Sequence, residues 1–120
     1  NWRAVDKFDR EYSAYSRLVH HGAAPYVPRV FGYLEFTEPA PFTDHIQIAL
    51  PAEGLLLEDF PSAQQLSWEN LTPTVAVEAF RAVEAVHAAL VIHGDVEEWN
   101  FLVVDDNKVV LIDFDVASTW

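Results

Sequence analysis

The chain has 120 residues, of which 51% are hydrophobic and 22% are charged, and this composition is typical of one small globular domain. Nineteen Asp and Glu residues against seven Lys and Arg give a net charge of −12, which argues against nucleic acid or an anionic membrane as a partner because both bind clustered basic residues. The lack of cysteine excludes disulfides and thiolate metal sites. No apolar run is long enough to span a membrane, and we expect a cytoplasmic location.

The first half of the chain predicts one helix followed by short strands. Over residues 6–20, apolar residues recur at spacings of three and four, which indicates one buried helical face, and Gly22 then ends the helix. That face contains Phe8, Tyr12, Tyr15, Leu18 and Val19. Apolar runs at 28–37, 45–50 and 54–57 predict three strands, and residues 58–61 predict an irregular connection.

The second half predicts a helix and then a β-hairpin. Thr72 is suited to cap a helix that begins at Pro73. Apolar residues and one histidine follow at helical spacing: Val77, Phe80, Val83, His87 and Leu90. The runs 101–104 and 109–112 flank an Asp-Asp-Asn-Lys turn and predict the two strands of a hairpin. The order of helix, strands, helix and hairpin predicts an α+β fold in a single domain.

The predicted hairpin brings two oxygen-bearing side chains together at its open end. A two-residue turn at Asp106 and Asn107 would place Asn100 directly opposite Asp113. Opposed residues on one face of a sheet have Cβ atoms about 4.5–5.5 Å apart. An amide oxygen and a carboxylate, with water completing the shell, suit Mg²⁺ held jointly with a phosphate. Ordinary turn chemistry at the strand ends is the alternative reading of both residues.

A third polar side chain, that of Asp95, lies in the loop five residues before Asn100. A carboxylate beside a metal–phosphate site can accept a proton from an attacking hydroxyl, although a solvated loop carboxylate or helix cap is the alternative. Gly94 permits a tight turn next to it. We interpret His93 as a structural residue that hydrogen-bonds the loop or the backbone near Asp113.

These residues resemble two motifs of the protein-kinase-like superfamily. The segment His93-Gly94-Asp95, with Asn100 five residues after Asp95, resembles the catalytic loop, and residues 111–115, Leu-Ile-Asp-Phe-Asp, resemble the magnesium-binding segment. The His-Gly-Asp form is closer to aminoglycoside and choline phosphotransferases, and to fungal kinase-like proteins, than to typical protein kinases. The resemblance implies a partial protein-kinase-like fold that uses ATP and Mg²⁺.

The resemblance also implies roles for individual residues. Asp95 would be the catalytic base, and Asn100 and Asp113 the magnesium ligands. Glu11 would lie on the regulatory-type helix, at the position that pairs with the nucleotide-binding lysine. Residues 54–60 would enter the hinge of the domain, where the backbone groups of Glu58, Asp59 and Phe60 face adenine. Residues 1–60 would be a remnant of the N-lobe, and residues 61–120 the start of the C-lobe with its catalytic loop.

Two departures from the family pattern shape the predicted function. No Gly-rich loop or Lys-bearing strand precedes Glu11, and the chain stops at Trp120 before any substrate-binding helices. We therefore expect a domain truncated at both ends, with impaired transfer of the ATP γ-phosphate to an unidentified hydroxyl acceptor. The alternative is a catalytically inactive binding or scaffold module, or a gene fragment. Apolar faces left uncovered by the truncation would favour self-association.

Overall fold

Two helices and seven short strands make up the described part of the chain. The computed structural model describes residues 2–36, 52–105 and 107–119, with side chains described at 7–35, 53–105 and 107–119. The helices are α1 (Trp2–His20) and α2 (Pro73–Ala88). The strands are β1 (Val30–Phe36), β2 (Ala52–Leu57), β3 (Gln64–Gln65), β4 (Val91–Ile92), β5 (Phe101–Val104), β6 (Lys108–Leu111) and β7 (Ser118–Thr119). The predicted α+β class is confirmed, and the predicted strand at 45–50 lies outside the described residues.

Helix α1 buries a narrower face than its sequence predicts. Ala14, Tyr15 and Leu18 are buried, and the helix ends before Gly22, which has a left-handed φ of 84°. Tyr12 and Val19 remain 51% and 53% exposed, so the prediction that they are buried is wrong. The helix contacts the core through Ala14 and the neighbouring Tyr15 and Leu18, and the side chains of Tyr12 and Val19 on either side of this face stay exposed.

Strands β1 and β2 form an antiparallel pair that packs against α1. Leu55 and Leu57 of β2 are partly buried against the central core, and the ring of Phe8 on α1 lies 5.8 Å from that of Tyr33 on β1. One further hydrogen bond extends the two strands beyond Val30 and Leu57: the Glu58 N–H donates to the Arg29 carbonyl at 2.8 Å. The end of β2 is thereby fixed at the start of the predicted hinge.

Helix α2 begins as predicted but buries a different face from the predicted one. The Thr72 hydroxyl accepts a hydrogen bond from the Val75 N–H at 3.1 Å, and Pro73 is the first helical residue. The buried face carries Val75, Ala82 and Val86. The side chains predicted at helical spacing lie mostly elsewhere, since Val77 is 51% and Phe80 67% exposed.

The hairpin of β5 and β6 has a different register from the predicted one. Phe101 pairs with Leu111 and Val104 with Lys108, so three residues rather than two form the turn. Asp105 opens this turn with a left-handed φ of 41°, and three-residue hairpin loops commonly include one such residue. The Ile112 N–H donates to the Asn100 carbonyl at 2.9 Å. The predicted opposition of Asn100 and Asp113 is therefore wrong by one residue.

A single hydrophobic core joins the helices to the hairpin. Strands β3, β5 and β6 form one small sheet, and β4 pairs with β7 in another. Side chains from both helices, from β6 and from the segment after it share the core, including Leu18, Val86, Leu111 and Phe114. No helix in the described ranges has the length and apolarity needed to cross a bilayer.

Candidate active site

Strand β4 leads into a loop, residues 93–100, that is held by the buried side chain of His93. His93 is 1% exposed, and its Nε2 lies 2.7 Å from the Ile112 carbonyl oxygen. Its Nδ1 accepts a hydrogen bond from the Asp95 N–H at 3.1 Å. Because Nδ1 accepts, the proton belongs on Nε2, which donates to Ile112. His93 thus ties the loop to the residue before Asp113, and its predicted structural role is confirmed.

Gly94 allows the loop to pass close to the segment after β6. Its φ is 89°, and a Cβ atom there would lie 2.8 Å from the Val116 carbonyl oxygen. A side chain is excluded both by the left-handed conformation and by this contact. The tight turn predicted at Gly94 is confirmed.

Asn100 orients the carboxylate of Asp95. Its side-chain Nδ2 donates to the Asp95 Oδ2 at 3.0 Å and to the Asp95 carbonyl at 2.9 Å. Asn100 is 3% exposed, whereas Asp95 is only partly buried. Both of these bonds use the amide nitrogen, so the Asn100 oxygen stays available as an acceptor or ligand. The structure thus brings together two of the predicted site residues in direct contact.

Asp113 follows β6 in a strained conformation with its side chain exposed. Its φ of 65° lies in the left-handed region, which is uncommon for residues other than glycine. Because Asp113 lies outside the regular strand, the alternation of side chains along β6 does not determine where its side chain points. The difference between the predicted and observed hairpin register therefore does not determine its position relative to Asn100. Backbone strain of this kind is concentrated at functional sites.

The environment of Asp113 is acidic. Partial desolvation raises the pKa of the Asp113 carboxyl, and the neighbouring Asp115 carboxyl raises it further. Burial also raises the pKa of Glu11, with additional contributions from the charges of Asp113 and Asp115. Glu11 on α1 and Asp113 after β6 are therefore electrostatic neighbours. Among the described residues, no group of three or more His, Asp or Glu side chains is arranged to hold a metal ion.

Lys7 supplies a counter-charge that the sequence did not reveal. Its Nζ lies 3.6 Å from the Asp115 Oδ2, and both side chains are partly exposed. Lys7 precedes Glu11 by one helical turn, so both side chains extend from the same side of α1 toward residues 113–115. The spacing of Lys7 and Glu11 in the sequence indicates that they share one side of α1. That this side faces residues 113–115 depends on how α1 packs, which the sequence does not show.

Aromatic rings connect α1 with both motifs. The ring of Phe114 lies 4.6 Å from that of His93 and 5.2 Å from that of Tyr15, with edge-to-face geometry in both pairs. The Tyr15 hydroxyl is buried and has no hydrogen-bond partner among the residues that the structure describes. Burial raises its pKa, and the charges of Glu11 and Asp113 raise it further. Sequence reasoning missed this stack, although Tyr15 lies one helical turn after Glu11.

The three predicted hinge residues lie together after β2. Two of their backbone groups already form hydrogen bonds within the chain. The Glu58 N–H donates to the Arg29 carbonyl, and the Phe60 carbonyl accepts from the Ala63 N–H at 3.0 Å. The Glu58 carboxylate accepts from the Arg29 N–H at 3.0 Å. Asp59 is exposed and lies between these two bonded residues. Among the described residues, the Glu58 carbonyl, both backbone groups of Asp59 and the Phe60 N–H make no hydrogen bond and remain open to a ligand.

The chain is similar to known kinase-like proteins. It is 38% identical over 64 residues to casein kinase 1-like protein HD16 of Oryza sativa subsp. japonica, covering 49% of this chain and 9% of that protein. It is 47% identical over 51 residues to a probable bifunctional tRNA threonylcarbamoyladenosine biosynthesis protein of Methanospirillum hungatei JF-1, covering 42% of this chain and 10% of that protein. The chain therefore spans about a tenth of the length of these curated relatives.

A family model covers more of the chain than either relative. The RIO domain model matches residues 39–118, which include the loop at 93–100, the hairpin and Asp113. The narrower likeness to aminoglycoside and choline phosphotransferases stays a prediction. Because the match extends over two thirds of the sequence, the chain belongs to the RIO domain family, a protein-kinase-like family of atypical kinases, and the predicted superfamily is confirmed.

Proposed function

We propose that this RIO domain supports Mg²⁺-dependent transfer of the ATP γ-phosphate to a hydroxyl acceptor. The observation that carries the proposal is the pair of hydrogen bonds from the Asn100 amide to Asp95. They orient a carboxylate beside an amide oxygen, at the end of a hairpin that leads into an acidic segment. Phosphoryl transfer depends mainly on such positioning and on charge stabilisation.

Asn100 and Asp113 are the residues that would hold Mg²⁺. Asn100 would offer an amide oxygen and Asp113 a carboxylate oxygen, which are hard ligands that suit this ion. A site with two protein ligands, completed by phosphate oxygens and water, also agrees with the lack of a larger acidic or histidine cluster in the described ranges. When bound, the cation would neutralise charge on the transferred phosphate.

Asp95 would act as the catalytic base. One of its carboxylate oxygens accepts from Asn100, and the side chain is partly exposed, so the other oxygen can accept a proton from an acceptor hydroxyl. His93 fixes the Asp95 backbone through the bond to its N–H. The acceptor itself, whether a small molecule or a protein side chain, is left open by the proposal.

The remaining predicted residues would serve the nucleotide. Glu11 extends toward Asp113 from α1, where it can position a basic group that binds phosphate. Glu58, Asp59 and Phe60 would face adenine with their backbone groups. The same proposal assigns residues 1–60 to an N-lobe remnant, residues 61–120 to the start of a C-lobe, and the chain to the cytoplasm, where ATP and Mg²⁺ are abundant.

Two measurements separate nucleotide binding from chemistry. If Mg²⁺-ATP binds, a concentration a hundredfold above Kd should raise the free energy of unfolding by about 2.7 kcal/mol. In single-turnover reactions with excess chain, Asp95→Asn should abolish phosphate release or transfer while retaining this stabilisation. Glu98→Gln, which removes an exposed charge from the same loop, serves as the matched control.

The outcomes are distinct. Stabilisation together with turnover that requires Asp95 supports the proposal. Stabilisation without turnover leaves a nucleotide-binding module, and turnover unaffected by Asp95→Asn removes the assigned base. No stabilisation at millimolar Mg²⁺-ATP would favour the alternative function, a binding or scaffold module, which the exposed Val77 and Phe80 on α2 independently favour.

A further inference from the structure

A shallow, open groove lies beside the C-terminal half of α1, where Thr119 of β7 borders it. Its volume is about 520 Å³, within the range of small-ligand sites. The side chains that define its chemistry are Ser13, Ser16, Arg17, His20, His21 and Thr119. None of the described residues that line it is acidic, although the chain contains 19 Asp and Glu residues.

Arg17 is the unusual member of this lining. Its side chain is partly buried and forms no ion pair with the described residues. Lys7 and Arg81 each contact a carboxylate, and the side chains of Arg29 and Lys108, which also lack an ion pair among the described residues, are exposed to water. A partly desolvated guanidinium without a carboxylate has hydrogen-bond donors in need of an acceptor. In so acidic a chain, this lack of a partner points to an anion that comes from outside.

The neighbours of Arg17 define the class of anion. His20 and His21 lie at the end of α1, where the His21 N–H donates to the Arg17 carbonyl at 3.1 Å. Imidazole N–H groups and serine and threonine hydroxyls are donors of the kind that bind phosphate oxygens, and the planar guanidinium binds them in pairs. The end of α1 carries only about half a negative charge, which the full charge of Arg17 outweighs.

We propose that this groove, defined by Arg17, His20, His21, Ser13, Ser16 and Thr119, binds a phosphate group of a small ligand. It does not include any residue of the proposed active site, so the inference stands apart from the proposed function. The groove nevertheless joins α1, which carries Glu11, to β7, which follows residues 113–115. A ligand bound there contacts both elements that position the acidic segment.

The test is a titration of the full 120-residue chain with inorganic phosphate and, separately, with glycerol 3-phosphate, followed by amide chemical shifts and calorimetry. We expect saturable binding, with the largest shifts in residues 13–21 and 118–119. Arg17→Gln should weaken it about tenfold, which corresponds to about 1.4 kcal/mol. Arg81→Gln removes the same charge from α2, outside the groove, and should leave the affinity unchanged. Tighter binding of glycerol 3-phosphate than of phosphate would identify a phosphate ester as the ligand.

The contrary results are equally specific. Shifts reproduced by chloride at the same ionic strength, or equal losses in Arg17→Gln and Arg81→Gln, would show general charge screening and overturn the proposal. Absence of saturation with both probes would also overturn it. If Arg17→Gln does not fold, as judged by circular dichroism, the double variant His20→Gln and His21→Gln replaces it, and unchanged phosphate affinity in that variant contradicts the site.

Discussion

Asp113 is the residue at which local conformation and electrostatics are both unfavourable. It has a left-handed backbone, and its charge is close to those of Asp115 and Glu11. The ion pair between Lys7 and Asp115 offsets only part of this repulsion, since exposed pairs of this kind are worth about 0–1 kcal/mol. The cation proposed to bind there would relieve part of this repulsion.

This repulsion predicts a pH dependence of stability. Because the folded-state pKa values of Asp113 and Glu11 are raised above 3.8 and 4.5, their contribution is fully present below those values and is lost as the pH rises through the raised ones. Asp113→Asn should therefore increase the free energy of unfolding at pH 7, by up to about 1 kcal/mol for an exposed charge. The increase should shrink toward pH 4.

Urea unfolding of both chains at several pH values, without metal, measures this effect. Glu69→Gln, which removes a charge from an exposed turn, is the control for the net charge of −12. Destabilisation of the chain by Asp113→Asn at pH 7 would contradict the repulsion. Added Mg²⁺ should stabilise the parent chain more than Asp113→Asn.

Tyr15 gives a second residue-scale prediction. Its hydroxyl is buried without a partner in the described part of the chain, and an unsatisfied buried polar group costs about 1–3 kcal/mol. Tyr15→Phe keeps the ring that packs on Phe114 and removes the hydroxyl, so we expect the free energy of unfolding to rise by about 1 kcal/mol. Thermal and urea unfolding measure it, with Tyr33→Phe as an exposed control. A loss of stability in Tyr15→Phe would mean that the hydroxyl has a partner.

At the scale of elements, the sequence predicts those helices and turns that show an apolar repeat or carry a characteristic capping or turn residue. The cap at Thr72, the stop at Gly22 and the loop between His93 and Asn100 each depend on local chemistry that is visible in the chain. Strands β3, β4 and β7 have two residues each, which is too short for any alternation to be seen. Their existence depends on partners distant in sequence.

The errors at this scale have two physical causes. The large apolar residues of each helix predict one buried face, but α1 contributes Ala14, Tyr15 and Leu18 to the core and α2 contributes Val75 and Val86. The hairpin register depended on one residue in the turn, Asp105, whose left-handed conformation is not encoded by its type alone. The contact between Asp95 and Asn100 does not depend on the hairpin register, because both residues are held by the loop before β5.

At the scale of the whole molecule, apolar exposure and net charge act in opposite directions. Val77 and Phe80 are adjacent on the outer face of α2 and expose large hydrophobic surfaces, which favours association with a second copy or with another protein segment. The net charge of −12 makes two copies repel each other. The balance therefore depends on how strongly salt screens the charge.

We expect self-association of the chain to increase with salt concentration. Between about 0.1 M and 1 M salt, the Debye length falls from about 10 Å to about 3 Å, so repulsion between copies weakens while burial of apolar surface does not. Sedimentation velocity should show a larger average mass at high salt for the parent chain. Phe80→Ser should remain monomeric, whereas Phe31→Ser, an exposed aromatic on β1, should behave like the parent. If Phe80→Ser associates as the parent does, the outer face of α2 is not the contact, because loss of its most exposed aromatic ring would otherwise remove the main area to be buried.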